Sequence, residues 1–163
     1  MIVRSEQETV AEILDKTRKL SRYYLSKLDV VDPLLQIQVG DHKLNCITWI
    51  AAHLTWAEHE LVVRALGAEP LPIPWLDQFQ YGTSSEPQDS WPSLNEIRVD
   101  LDRVHAAALA AIRSQTDFGD PAQIELFGPT STKRDIVYHA IRHEGTHAGH
   151  LGWLCKLNGL ETI

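Results

Sequence analysis

The chain has only two cysteines, Cys46 and Cys155, among 163 residues. Two thiols are too few for a disulfide scaffold, so both are expected to be reduced and buried. No apolar run approaches the roughly 20 residues of a membrane span. The opening "MIVRSEQE" lacks the apolar core of a signal peptide, which makes the cytoplasm the expected location. Basic runs are missing too: 22 acidic side chains outnumber 15 basic ones, for a net charge of −7. Such a chain repels phosphate backbones and anionic surfaces, so neither nucleic acid nor a membrane is expected as a partner. Internal repeats, low-complexity segments and convincing strand patterns are absent as well. What is present, 44% hydrophobic and 23% charged residues, is ordinary for a globular protein, and the length suits one domain over residues 1–163.

Helical periodicity dominates. "SEQETVAEILDKTRKLSRYYLSKL" opens with Ser5 and Glu8 in capping-box spacing, and Val10, Ile13, Leu14, Leu20, Tyr24 and Leu28 form an apolar stripe. "NCITWIAAHLTWAEHELVVRAL" reads as a second helix, capped by Asn45 and stopped by Gly67. Ser93 with Glu96 starts a third helix, and Thr132 with Asp135 a fourth that ends at Gly159. Long irregular connections separate helices 2 and 3 and helices 3 and 4. Four amphipathic helices of roughly 20 residues bury their stripes against one another, which predicts an all-α four-helix bundle. A connector as long as "GAEPLPIPWLDQFQYGTSSEPQDSWP" can run the length of that bundle and make helices 2 and 3 parallel. Its Trp75, Phe79 and Tyr81 are expected to anchor it by packing, with a lid over a site as the other reading.

The fourth helix carries His139, His143, His147 and His150, spaced to lie on one face. Burying that many imidazoles without a partner is costly, and neighbours four apart can share one metal ion. A further ligand must come from another helix. His53, in the middle of the second helix beside Trp49 and Trp56, is placed to point inward. His59, between two glutamates, reads as a surface residue, and the isolated His42 and His105 as solvated or hydrogen-bonded side chains.

"HEGTH" also fits the H-E-x-x-H string of zinc proteases. The extended form of that motif needs glycine at position 150 and histidine at 153, where this chain has His150 and Trp153. A di-iron carboxylate bundle needs two Glu-x-x-His pairs, and only Glu144 with His147 supplies one. Both readings are set aside.

The run Asn-x-x-x-Trp-x-x-x-His on the second helix and His-x-x-x-His-x-Gly on the fourth resemble the DinB/YfiT-like superfamily of metal-binding four-helix bundles, over nearly the whole chain. The resemblance implies metal ligands at His53, His143 and His147, with His139, His150 and Trp56 beside them. It implies a divalent transition metal, zinc or nickel foremost, and a small-molecule substrate. Relatives include transferases that use a low-molecular-weight thiol, proposed hydrolases and bundles of no known activity, and they are commonly homodimers. Three imidazoles leave coordination positions open, as in catalytic sites. Glu144 and His150 are the candidate catalytic groups, although Glu144 also reads as a plain surface glutamate.

Overall fold

A computed structural model of the chain describes residues 4–125 and 128–163; residues 1–3 and two residues of the second connector, 126 and 127, lie outside the described residues. The fold is all-α. Its helices are α1 (Glu6–Lys27), α2 (Ile47–Glu58), α3 (Leu94–Arg113) and α4 (Lys133–Leu157). Ser5 caps α1 by accepting the Glu8 N–H, and reciprocal capping boxes start α3 and α4, as their sequences predict. Gly67 and Gly159 take positive φ where α2's extension and α4 stop.

The second helix departs from expectation at both ends. Its cap is Cys46 rather than Asn45, and no side chain bonds the first turn. The carbonyl of Pro33 accepts the Thr48 N–H instead, so the preceding loop satisfies that donor. After Glu58 the helix widens into a π-helical turn, His59–Arg64. His59 belongs to this feature and is buried, not on the surface. Its Nε2 accepts the Leu71 N–H at 3.0 Å, which places the proton on Nδ1, 3.0 Å from the Glu60 carboxylate. Flanking glutamates therefore misled the sequence reading: His59 ties the π turn to the connector behind it.

Glu6 with Arg134, Thr17 with Gly145 and Tyr24 with Gly152 keep one offset, so α1 and α4 run parallel. A Cβ on Gly152 would come within 3.1 Å of the Tyr24 ring, so glycine permits the close approach. Glu58 with His105 and Leu66 with Gln115 show that α2 and α3 are also parallel, as the long connector predicts. Arg22–Asp102 and Glu8–Arg113 mark α1 and α3 as antiparallel. The bundle is up-down-down-up, with α1 and α2 on opposite corners, each packed on both α3 and α4.

Leu14, Ile50, Leu54, Leu101, Ile112, Ile136 and Leu151 are buried at the centre. Ile13 is not part of this core but about half exposed; the inward stripe of α1 is Val10, Leu14, Arg18, Ser21 and Leu25. In the first connector Trp75 and Phe79 are buried anchors, and Trp75 Nε1 donates to Asp100 at 3.0 Å. Tyr81 is not an anchor: it is 89% exposed. The only strands among the described residues are two residues each, β1 (Gln38–Val39) and β2 (His42–Lys43), a small exposed hairpin. Both cysteines are free and buried, with Cys155 Sγ 3.8 Å from the Tyr24 carbonyl oxygen.

Candidate metal centre

Because α2 and α4 are antiparallel neighbours, the middle of one faces the middle of the other. His53 thereby meets His143 and His147, and one ligand atom from each lies within 4.8 Å of the others. The rings of His53 and His143 are 5.0 Å apart, those of His53 and His147 5.0 Å, and those of His143 and His147 4.6 Å. His139 continues the row at 6.0 Å from His143, and His150 at 5.0 Å from His147. The four-histidine face read from α4 is therefore one ladder of rings, with His53 set against its centre.

Second contacts orient these rings. His53 Nδ1–H donates to the Phe79 carbonyl at 2.7 Å, so Nε2 carries a lone pair and faces His143 Nε2 at 3.1 Å. Two imidazole nitrogens on one tetrahedral zinc stand roughly 3.3 Å apart for bonds of about 2.0–2.1 Å, so this spacing fits a shared ion. Trp49 and Trp56 stack on the His53 ring at 4.6 and 5.4 Å. His147 Nδ1 lies 3.3 Å from His150 Nδ1; donation from His147 frees its Nε2. Carbonyl or side-chain partners behind ligand imidazoles are the usual way a metal site fixes its tautomers.

Burial first, and then the neighbouring histidines, press the ring pKa of His143 down to about 4 and that of His147 to about 3. Burial also lowers His53, against the opposing bond to Phe79. His139 is lowered by burial and then by Arg142, whose Nη2 donates to its Nδ1 at 2.6 Å. These rings are neutral at pH 7, the form in which imidazole binds a metal. The donor set and its geometry fit a divalent transition ion.

The cluster opens into a cleft of about 640 Å³, within the usual range for small-molecule sites. Asn45, Trp56, Tyr81, Thr83 and His139 line it together with the three clustered histidines. Asn45, assigned from sequence to a cap, is a wall of this cleft. The four-residue spacing Asn45, Trp49, His53 already puts it on the site's face.

Glu144 goes the other way, and it is not a surface residue. It is buried, accepting Ser21 Oγ–H at 2.5 Å and lying 3.0 Å from Arg18 Nη2. The same guanidinium nitrogen donates to Glu58 at 2.8 Å, and Glu58 meets His105 Nδ1 at 2.8 Å. His105 Nε2 in turn lies 3.3 Å from Asp15. All four helices thus contribute to a charged cluster in the core. Burial pushes the Glu144 carboxyl up, and Arg18 opposes that shift. Sequence reading missed Arg18, Ser21 and Glu58, although Arg18 and Ser21 continue the stride of Leu14 toward Leu25. A cavity of about 10 Å³, bordered by His143, Glu58 and Glu144, separates this cluster from the histidines.

A family model described as the DinB superfamily matches residues 13–151. No curated protein matches the chain.

Proposed function

The chain belongs to the DinB superfamily, and from that premise we propose that it is a metal-dependent enzyme acting on small molecules, with His53, His143 and His147 as the ligands of its ion. The observation that carries this reading is the convergence of three neutral imidazoles, one from α2 and two from α4, on the floor of an open cleft. The bound ion, for which we favour zinc or nickel among the metals that imidazole suits, would supply a lowered pKa to a coordinated thiol or water and so a nucleophile at neutral pH.

Between those nucleophiles we favour a low-molecular-weight thiol, which makes the activity an S-transferase. None of the described residues lining the cleft is a carboxylate. A coordinating thiol is deprotonated outright, whereas metal-bound water titrates only near neutral pH and calls for a base to carry its proton away. The wall also carries His139, whose Nδ1 accepts from Arg142, and Tyr81. Trp49 and Trp56 exclude water from the back of His53. Glu144 is held inside the bundle by Ser21 and Arg18, which speaks against a role as the base. A metal-dependent hydrolase and a non-catalytic metal-binding bundle are the competing readings.

Elemental analysis of untagged wild type and His147→Ala tests the site: about one ion per chain is expected in the former and none in the latter. Metal-loaded protein is then titrated with cysteine-derived thiols by calorimetry and screened with alkylating electrophiles. Saturable thiol binding that is lost in His147→Ala supports the transferase; metal without thiol binding supports a competing reading. Absence of metal from both proteins overturns the proposal.

A further inference from the structure

A second cavity of about 500 Å³ adjoins the histidine cleft, where the start of α2 meets the end of α4 and the β1–β2 hairpin. Its walls are mainly Val39, Leu44, Ile50, Trp153, Leu154 and Leu157. Three of these, Trp153 at 64% exposure, Val39 at 51% and Leu157 at 48%, are large apolar side chains facing solvent. The groove borders the candidate centre at two residues. Asn45 lines both cavities, and His150 lines the groove while its ring bonds that of His147. Among the described residues the one lysine or arginine on its wall, Lys43, is already paired with Glu86 at 3.1 Å.

We propose that this groove is the binding site for the apolar tail of the substrate, an alkyl or aryl chain whose polar, reactive head lies among His53, His143 and His147. The substrate class is therefore amphipathic small molecules, not compact polar ones. This rests on the metal-site reading above. Three features select this occupant. The groove shares Asn45 with the histidine cleft and reaches His150 beside His147, so a ligand anchored on the ion is delivered to it. Its wall is apolar with its single cation neutralised, which rejects a charged tail. Its volume lies within the range of small-molecule pockets.

Zinc-loaded protein titrated with straight-chain hydroxamates, from two to ten carbons, separates head from tail. The hydroxamate group binds zinc, so the two-carbon member reports the metal site alone. In wild type the affinity is expected to rise with each methylene by up to about fourfold, the transfer value for one buried CH₂, and to level off once the groove is filled. Trp153→Ala and Val39→Ser, on exposed side chains, are expected to leave the two-carbon Kd unchanged and reduce the increment per methylene to less than half. A flat series on protein that binds the two-carbon member overturns the groove and leaves the metal site standing. So does a flat series in which wild type sediments as a dimer and Trp153→Ala as a monomer, which would make the groove an interface between copies. If the two-carbon member does not bind, the metal reading fails. The groove then stands only if the ten-carbon member still binds wild type at least tenfold more tightly than Trp153→Ala, and equal affinity overturns it.

Discussion

Two clusters of ionisable side chains sit side by side in this bundle, sharing α2 and α4 and solved in opposite ways. α2 gives His53 to one and Glu58 to the other; α4 gives His143 and His147 to one and Glu144 to the other. In the core cluster the cation is part of the chain: Arg18 lies between Glu58 and Glu144, which also bond His105 and Ser21 respectively. In the histidine cluster lone pairs converge on an open cleft, and the guanidinium on that face, Arg142, bonds His139 and not the three clustered rings. The difference separates a fixed internal cross-brace from a receptor. It also explains why Glu144-x-x-His147 is not half of a di-iron site. One residue of helix rotation sends Glu144 inward to Arg18, while His143 and His147 turn toward α2.

The comparison is broken most severely by removing the internal cation. Arg18→Met leaves two carboxyls buried without their partner, a change that costs on the order of 3–5 kcal/mol. Chemical denaturation should show that loss. Arg18→Met combined with Glu58→Leu and Glu144→Leu should recover most of it, since a buried ion cluster can give way to apolar groups of similar volume at little cost. The triple variant should still bind metal; loss of metal there would show that the two clusters are one device. The converse change, His147→Ala, should weaken metal binding by more than the roughly 10–100-fold that loss of an outer partner costs. Metal-free stability should change far less than in Arg18→Met. A competition assay with a chelating dye and a denaturation curve measure the two effects on the same sample.

These two clusters were not equally legible in the sequence. The histidine row on α4 is regular, its residues are rare in cores, and its spacing alone puts it on one face. His53 followed from the aromatic neighbours one turn away on either side. The core cluster was hidden because its members resemble surface residues. Arg18 sits among Lys16 and Lys19, and Glu58 and Glu144 each lie beside a histidine. Only the pairing across helices reveals them as core, and one-dimensional patterns carry no such information. The helices, their caps at Ser5, Ser93 and Thr132, and the parallel α2–α3 pair were readable for local reasons. The π turn was not, because it depends on His59 accepting a backbone N–H from a residue twelve positions on.

The clusters should also respond differently to acid. The unfolded chain takes up protons on its histidines near pH 6.5, whereas folded His143 and His147 do so at about 4 and 3. Between these values the unfolded state binds more protons, so metal-free stability falls as the pH drops from about 7 toward 4. Substituting His143 and His147 by phenylalanine should flatten that part of the profile. Metal retention should hold to lower pH than a solvent-exposed histidine site allows, because protons do not compete until the depressed pKa values are approached. Dialysis at stepped pH with metal analysis distinguishes this from loss centred near pH 6.5.

The smallest effect sharpens the comparison most. His150 is exposed and meets the cluster at His147, by a nitrogen–nitrogen contact of 3.3 Å. If its role is to accept the His147 Nδ1 proton, His150→Ala leaves all three ligands in place but frees the His147 ring to turn. Metal affinity should then fall by about tenfold, at the low end for an outer partner, with no measurable loss of metal-free stability. His150→Gln, whose amide oxygen can accept the same proton, should restore affinity to within about threefold of wild type by the same argument. Equal losses in the alanine and glutamine variants would instead make His150 a fourth ligand. In that event the centre would be a closed site of four nitrogens, with no position left for substrate.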